Sequence, residues 1–228
     1  MAVELKPVHR SIGMEATGVD LSKPLSDADF TALQDAVHRG GFVLLRGQDM
    51  SAAAQMALAE RFGVPLPPYR PEFSHPDFHE IAMLGNVAAG GEVVTYLNTG
   101  GIEWHTDSPG SSLPPGVSML YCVESDIPGG GGETLFASTV AGYEVLPEAL
   151  KSRLDDLIIV HSFNTFNDVA ATHDDTSVTA QSGALRDRNK DSHDPIVQTH
   201  PATGEKHLYV SHCMVKDVPG MAFEEGMK

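Results

Sequence analysis

The chain has 228 residues, 31 acidic against 15 basic, with a formal charge of −16. That balance argues against nucleic acid or an anionic membrane surface as a partner, because both call for a cationic face. No apolar run approaches the roughly 18 residues of a membrane helix. The opening Met1-Ala2-Val3-Glu4-Leu5-Lys6-Pro7 lacks the basic-then-apolar layout of a secretion signal. Two cysteines, Cys122 and Cys213, are too few for a disulfide framework, so a reducing cytoplasm is expected. A chain of this length buries roughly 70% of its unfolded surface, which suits one well-built domain.

Val3 and Leu5 alternate with polar neighbours, and Gly13 and Gly18 punctuate the next stretch, which predicts a short strand or hairpin. Ser26 with Asp29 three residues later marks a helix start, and Phe30, Leu33 and Val37 recur at helical spacing. Gly40-Gly41 closes that helix, and the continuous apolar run Phe42–Leu45 reads as a buried strand. Ser51 caps a second helix lined by Met56, Ala59 and Phe62, stopped by Gly63 and Pro65.

The loop 69–79 holds Arg70, whose guanidinium matches a carboxylate or sulfonate. Its plainer alternative is a solvated surface arginine. Ile81–Val87 and Val93–Leu97 read as strands around Gly90-Gly91. Asn98 comes after them, placed either to touch substrate or to hold a turn with its amide.

Trp104-His105-Thr106-Asp107 comes next, with Ile102, Trp104 and Thr106 apolar or β-branched, so a strand is expected here. Residues two apart on a strand share a face, which sets the His105 imidazole beside the Asp107 carboxylate. Such a pair can hold one edge of a divalent metal, as in sites built from two histidines and one carboxylate. His-x-Asp alone occurs often by chance. The residues downstream strengthen it: a Pro114-Pro115 turn, an apolar strand Val117–Val123, glycines 129–132, and Glu133-Thr134-Leu135-Phe136-Ala137-Ser138. Cys122, inside the apolar run, reads as a small core residue.

Thr139–Leu146 and Glu148–Leu157 read as helices broken at Pro147, and Leu157–Phe163 as a strand carrying His161, a satisfied core histidine rather than a ligand. Residues 164–194 lose periodicity and read as a flexible lid or a disordered loop. Ile196–Thr199, a Pro-Ala-Thr-Gly turn and His207–Ser211 form a hairpin-like unit.

These stretches resemble the iron(II)- and 2-oxoglutarate-dependent oxygenases of the taurine dioxygenase and dichlorophenoxyacetate dioxygenase type. The likeness lies in Trp104–Asp107, Gly131-Gly132-Glu133-Thr134-Leu135-Phe136-Ala137-Ser138, Gly41–Gln48, and Thr199–Gly204 with Leu208-Tyr209-Val210. The motifs stand in the family's order over nearly the whole chain. The resemblance implies an α+β, mainly β fold: a double-stranded β-helix (jelly-roll, cupin-like) core with flanking helices. It implies Fe(II), 2-oxoglutarate as co-substrate and O2, with His105 and Asp107 as metal ligands and Thr134 binding a carboxylate of 2-oxoglutarate. The implied reaction hydroxylates a small organic acid, of sulfonate or aryloxyalkanoate type, while 2-oxoglutarate becomes succinate and CO2. Arg70 and Asn98 are the substrate-binding candidates.

One part of the pattern has no counterpart. Relatives carry a third iron ligand, a histidine, and an arginine for 2-oxoglutarate in a late strand resembling Trp-Asp-Asn-Arg. This chain's one tryptophan is Trp104. His200, His207 and His212 remain as substitutes only by speculation. The expectation is a single oxygenase domain over 1–228 lacking the C-terminal strands, through truncation or divergence, with truncation favoured because the match stops without decay. Such a chain is expected to bind metal weakly and turn over poorly. Its open sheet edges would leave a homo-oligomer open as an outcome. Two rivals stand beside the oxygenase: a non-catalytic cupin-like binding protein of the same fold, and a zinc hydrolase using His105 and Asp107, for which no third ligand is evident.

Overall fold

Ser26 shows how locally the N-terminal elements are specified. The computed structural model describes residues 2–68, 70–90, 92–95, 104–107, 115–125, 131, 133–165 and 190–226. In it, helix α1 (Asp27–Gly40) begins at Ser26, whose side chain accepts from the Asp29 N–H at 3.1 Å, while the Asp29 carboxylate takes the Ser26 hydroxyl at 2.7 Å and the Val3 N–H at 3.1 Å. This reciprocal cap satisfies helix-end donors and ties the first strand to the helix. Phe30, Leu33 and Ala36 form its buried stripe. At the other end Gly41 adopts φ 80° and its N–H reaches Val37 O.

Strands β1 (Glu4–Pro7) and β2 (Met14–Thr17) pair antiparallel, and β3 (Val43–Leu44) runs parallel to β2, giving the order β1-β2-β3. Helix α2 (Ala52–Phe62) starts at Ser51, which accepts from Ala54 N at 3.2 Å. It docks on α1 through an edge-to-face contact of Phe62 with Phe30, centroids 4.9 Å apart, and Arg61 lies 4.2 Å over the Phe30 ring. The same Arg61 donates to Leu25 O and pairs with Asp27 at 2.7 Å.

In the C-terminal half, β6 (Ile158–His161) lies between β7 (Ser192–Pro195) and β10 (Val215–Asp217), both antiparallel to it. A hairpin of β8 (Val197–Thr199) and β9 (Lys206–Leu208) stands beside this sheet. Ile159, Ile196, Val215 and Val218 form the buried core here, packed by Leu154, Leu157, Val197, Leu208 and Met221. Helices α3 (Thr139–Glu144) and α4 (Glu148–Leu154) cover one flank. A polar clasp holds them to the hairpin: Tyr143 donates to Asp155 Oδ1 at 3.1 Å and Lys206 reaches Asp155 Oδ2 at 3.0 Å. A helical turn at Phe223–Gly226 comes last.

The hairpin β1–β2, both capped helices, the break at Pro147 and the β8–β9 hairpin agree with expectation. Several strands do not. Around Gly90, at φ 62°, only the two-residue strands β4 (Ala88–Ala89) and β5 (Glu92–Val93) pair. The buried Thr95 hydroxyl instead donates to Gly85 O at 2.6 Å and accepts from Val87 N at 3.1 Å, holding the approach by side chain. Residues 117–123 make no ladder among the described residues, and Leu120 and Val123 are exposed. Cys122 is exposed as well, not a core residue. The polar stretch read as a lid falls mostly on 166–189, outside the described residues, and its end is the strand β7 rather than loop. No described helix is long and apolar enough to cross a membrane.

Candidate metal and co-substrate site

Trp104–Asp107 has no strand pairing among the described residues, contrary to the alternation argument, and Trp104 is exposed. The side chains nevertheless converge. His105 Nε2 lies 3.3 Å from Asp107 Oδ1, with the two side chains 27% and 53% exposed. Ser118 donates its hydroxyl to the other carboxylate oxygen, Oδ2, which turns Oδ1 toward the imidazole. His105 first, and then the Ser118 hydroxyl, hold the Asp107 carboxyl below the ordinary aspartate value, against the opposing effect of burial.

The backbone between the two side chains is anchored from below. The Thr106 N–H donates to Ser211 Oγ at 2.9 Å, and the two hydroxyls lie 2.9 Å apart. The Ser211 N–H donates in turn to His161 Nε2 at 3.2 Å, and His161 Nδ1 is 2.8 Å from Asp194 Oδ2. His161 and Ser211 have no solvent exposure. The reading of His161 as a satisfied core histidine therefore agrees with its surroundings. Ser118, Ser211 and Asp194 carry no sequence motif; the signal that could have pointed to Asp194 is the need of a buried histidine for a partner.

The other expected site residues are described by their own surroundings. Thr134 is exposed and not in a strand; it lines an open groove with His9, Ile12, Phe42 and Phe136. Phe42 stacks on Phe136 at 4.3 Å, which fixes the segment after Thr134 against the N-terminal sheet. Arg70 precedes the turn Pro71–Phe73 and, with its side chain 12% exposed, pairs with Glu72 and lies 5.3 Å over the Phe73 ring. A merely solvated arginine does not describe it. Asn98 lies outside the described residues. His200 has its rings near His38 at 5.6 Å and His207 at 6.4 Å, and burial, followed by those two neighbours, pushes its imidazole below the ordinary histidine value.

Among the described residues no group of three or more His, Cys, Asp or Glu is gathered to hold a metal ion. The pair itself fits one. Neighbouring ligands about 2.1 Å from a six-coordinate ion stand about 3 Å apart, close to the 3.3 Å between His105 Nε2 and Asp107 Oδ1. An imidazole nitrogen with a carboxylate oxygen is a donor set suited to ferrous or manganous ions.

A mixed helix-and-sheet fold with an imidazole and a carboxylate at ligand spacing has the outline of a mononuclear metal enzyme. The family is narrower: residues 4–228 match the taurine catabolism dioxygenase TauD, TfdA family, and the chain belongs to it. An alpha-ketoglutarate-dependent sulfate ester dioxygenase of Pseudomonas putida is 28% identical over 231 residues, 99% of this chain and 71% of that protein. An alpha-ketoglutarate-dependent 2,4-dichlorophenoxyacetate dioxygenase of Cupriavidus pinatubonensis is 28% identical over 238 residues, 99% of this chain and 79% of that protein. The crystal structure of a taurine dioxygenase from Burkholderia xenovorans superposes with a TM-score of 0.71 at 26% identity, over 99% of this chain and 69% of that one. The enzyme class expected from the sequence, and its cofactor set of Fe(II), 2-oxoglutarate and O2, are those of the family.

Proposed function

We propose that the chain is an iron(II)/2-oxoglutarate-dependent dioxygenase that hydroxylates a small organic acid of the sulfonate or aryloxyalkanoate type. The observation that carries this reading is the 3.3 Å approach of His105 Nε2 to Asp107 Oδ1, with the second carboxylate oxygen tied to Ser118. Relatives named for sulfate esters and for 2,4-dichlorophenoxyacetate support an anionic substrate. With a formal charge of −16 the protein as a whole repels anions, which calls for a local cation; Arg70 is the substrate-binding candidate on this reading, and it would have to exchange its partner Glu72 for the substrate anion, with Asn98 as the second candidate. The sheets are read as parts of a double-stranded β-helix within a single domain, supported by the superposition on the Burkholderia enzyme.

Bound iron would supply the activation of O2 that couples oxidation of 2-oxoglutarate to hydroxylation of the substrate. His105 would give it a neutral nitrogen donor and Asp107 an anionic oxygen. His105 and Ser118 hold the Asp107 carboxyl below the ordinary aspartate value, which suits a ligand rather than a proton donor. Ser118 holds the unused oxygen, which saves the carboxylate from having to lose rotational freedom when metal arrives. Thr134, on its exposed segment, would donate its hydroxyl to a carboxylate of 2-oxoglutarate.

The test is anaerobic addition of Fe(II) and 2-oxoglutarate, read by charge-transfer absorbance, followed by succinate formation in air with candidate acids. Wild type should give both signals, weakly because the family's third ligand and arginine have no counterpart in this chain, and Asp107→Ala should give neither. Metal-dependent 2-oxoglutarate consumption that is equal in Asp107→Ala and wild type removes the reading. Absorbance without succinate for any acid tried favours the cupin-like binding protein instead.

A further inference from the structure

We propose that Ser211, held by the buried pair His161–Asp194, is a positioning residue that fixes the peptide between His105 and Asp107. The inference rests on the reading of those two residues as metal ligands and extends it to how their spacing is set.

The convergence of His105 and Asp107 needs a cause. Trp104–Asp107 has no strand partner among the described residues to impose the alternation that would place the two on one side. The Asp107 side chain is about half exposed, so packing does little to hold it. Ser118 accounts for one carboxylate oxygen of Asp107. It does not account for the imidazole, whose direction depends on the backbone of residues 105 and 106.

Thr106 supplies a restraint on that backbone. Every polar group of that residue is directed to a single side chain: its N–H to Ser211 Oγ at 2.9 Å, its hydroxyl to the same atom at 2.9 Å, and its carbonyl to the Ser211 hydroxyl at 3.4 Å. Ser211 thereby stands in for a ladder, binding both the donor and the acceptor of one peptide residue as a neighbouring strand would.

Ser211 is a rigid anchor because of what lies under it. Its own N–H points at His161 Nε2, 3.2 Å away, so that nitrogen is the acceptor and the ring proton sits on Nδ1, facing Asp194 Oδ2 at 2.8 Å. Asp194 is fixed in turn by the Ser192 hydroxyl, and the His161 and Tyr209 rings meet in a T-shaped contact with centroids 5.5 Å apart. His161 is paired on both sides, with Ser192 of β7 and Val215 of β10. The chain of contacts thus runs from the centre of a three-stranded sheet to the pair at the surface, with the Thr106 and Ser211 N–H groups as donors along it. Outer groups that orient ligands through such links change metal affinity by about 10- to 100-fold when removed.

The experiment is a Mn(II) titration of the full chain followed by loss of the free-ion EPR signal, with amide exchange at Thr106 measured on the metal-free protein. Ser211→Ala should weaken Mn(II) about tenfold, at the low end of that range, and release the Thr106 amide to fast exchange. Thr106→Val, which loses only the hydroxyl contact, should weaken it less, and Thr106→Ser, which keeps all three contacts, should match wild-type affinity. A purely structural role would lower the melting temperature of Ser211→Ala without moving the Mn(II) affinity of the folded protein, and that result overturns the inference. Should Ser211→Ala fail to fold, equal affinity in Thr106→Val and wild type overturns it. A wild type that binds no Mn(II) overturns the metal reading itself, which the variants' results cannot be mistaken for.

Discussion

His161 Nδ1 stands 2.8 Å from Asp194 Oδ2, and the imidazole so oriented has no solvent exposure. Removing the carboxylate in Asp194→Ala leaves a buried N–H without an acceptor. A lost partner of this kind costs about 1–3 kcal/mol. Asp194→Asn should cost less, since its amide oxygen can still accept. Urea unfolding of the three proteins checks the order, and an Asp194→Ala protein within about 0.5 kcal/mol of wild type would mean that the pair is not what holds the ring.

At Gly13 two separate costs meet. Its φ is +90°, and a Cβ would lie 2.3 Å from Cζ of Phe42. Gly47 has φ +63° with nothing within 4 Å. A side chain at a left-handed position costs about 1–3 kcal/mol. Gly47→Ala should show that cost alone, whereas Gly13→Ala must also displace Phe42 from its stack on Phe136. The unfolding free energy of Gly13→Ala should therefore fall below that of Gly47→Ala; the reverse order would show that Phe42 moves aside freely.

The elements legible in the sequence are those written in local chemistry. Ser26 and Asp29 cap α1 through each other, and Phe30 and Leu33 repeat on the buried side. The Pro201–Gly204 turn between two short runs gives the β8–β9 hairpin, with His200 N bonded to Glu205 O at 2.8 Å. The less legible parts are set by distant contacts. Ser192-His193-Asp194-Pro195 has the composition of a loop, yet it pairs with β6 because its backbone completes that sheet and its Asp194 meets His161. The apolar run 117–123 has the composition of a core strand, but Leu120 and Val123 face solvent while Tyr121 spends its hydroxyl on Met50 N and Gln48 O. At the site, His105 and Asp107 do face each other; among the described residues no strand pairing holds 104–107, and the contacts of Ser118 and Ser211 restrain the pair. Nothing in residue spacing announces a serine more than a hundred positions away.

The clasp of Asp155 with Lys206 predicts an acid limb of stability. Lys206 first, and the Tyr143 hydroxyl after it, hold the Asp155 carboxyl below its ordinary value, while Asp155 pushes the Lys206 ammonium above its own. A lowered carboxyl contributes stability above its unfolded value near 3.9 and loses it as pH falls through the folded one. A raised ammonium contributes below about 10.4 and loses it as pH rises further. The difference in unfolding midpoint between wild type and Lys206→Met should accordingly be flat between about pH 5 and 9 and close at both ends. Both groups are solvent-accessible, so 1 M salt should shrink the difference. A gap that stays open in acid would assign the effect to the lost contact of the Lys206 ammonium with the Tyr143 ring.

Ser118 and Asp107 allow the two sources of ligand quality, charge and orientation, to be separated. Asp107→Asn keeps the shape of the side chain and its contact atoms but removes the charge that a divalent ion seeks. Ser118→Ala keeps the charge and frees the Oδ2 oxygen that the hydroxyl now restrains. Loss of a charged ligand atom should exceed loss of its support, and the support should still matter by about tenfold, as outer partners of metal ligands do. The expected order of Mn(II) affinity is wild type, then Ser118→Ala, then Asp107→Asn, read by water-proton relaxation at pH 7.5. Equal affinity for Ser118→Ala and wild type would mean that the metal itself orients the carboxylate, and the contact seen without metal would then be only a resting place for the oxygen.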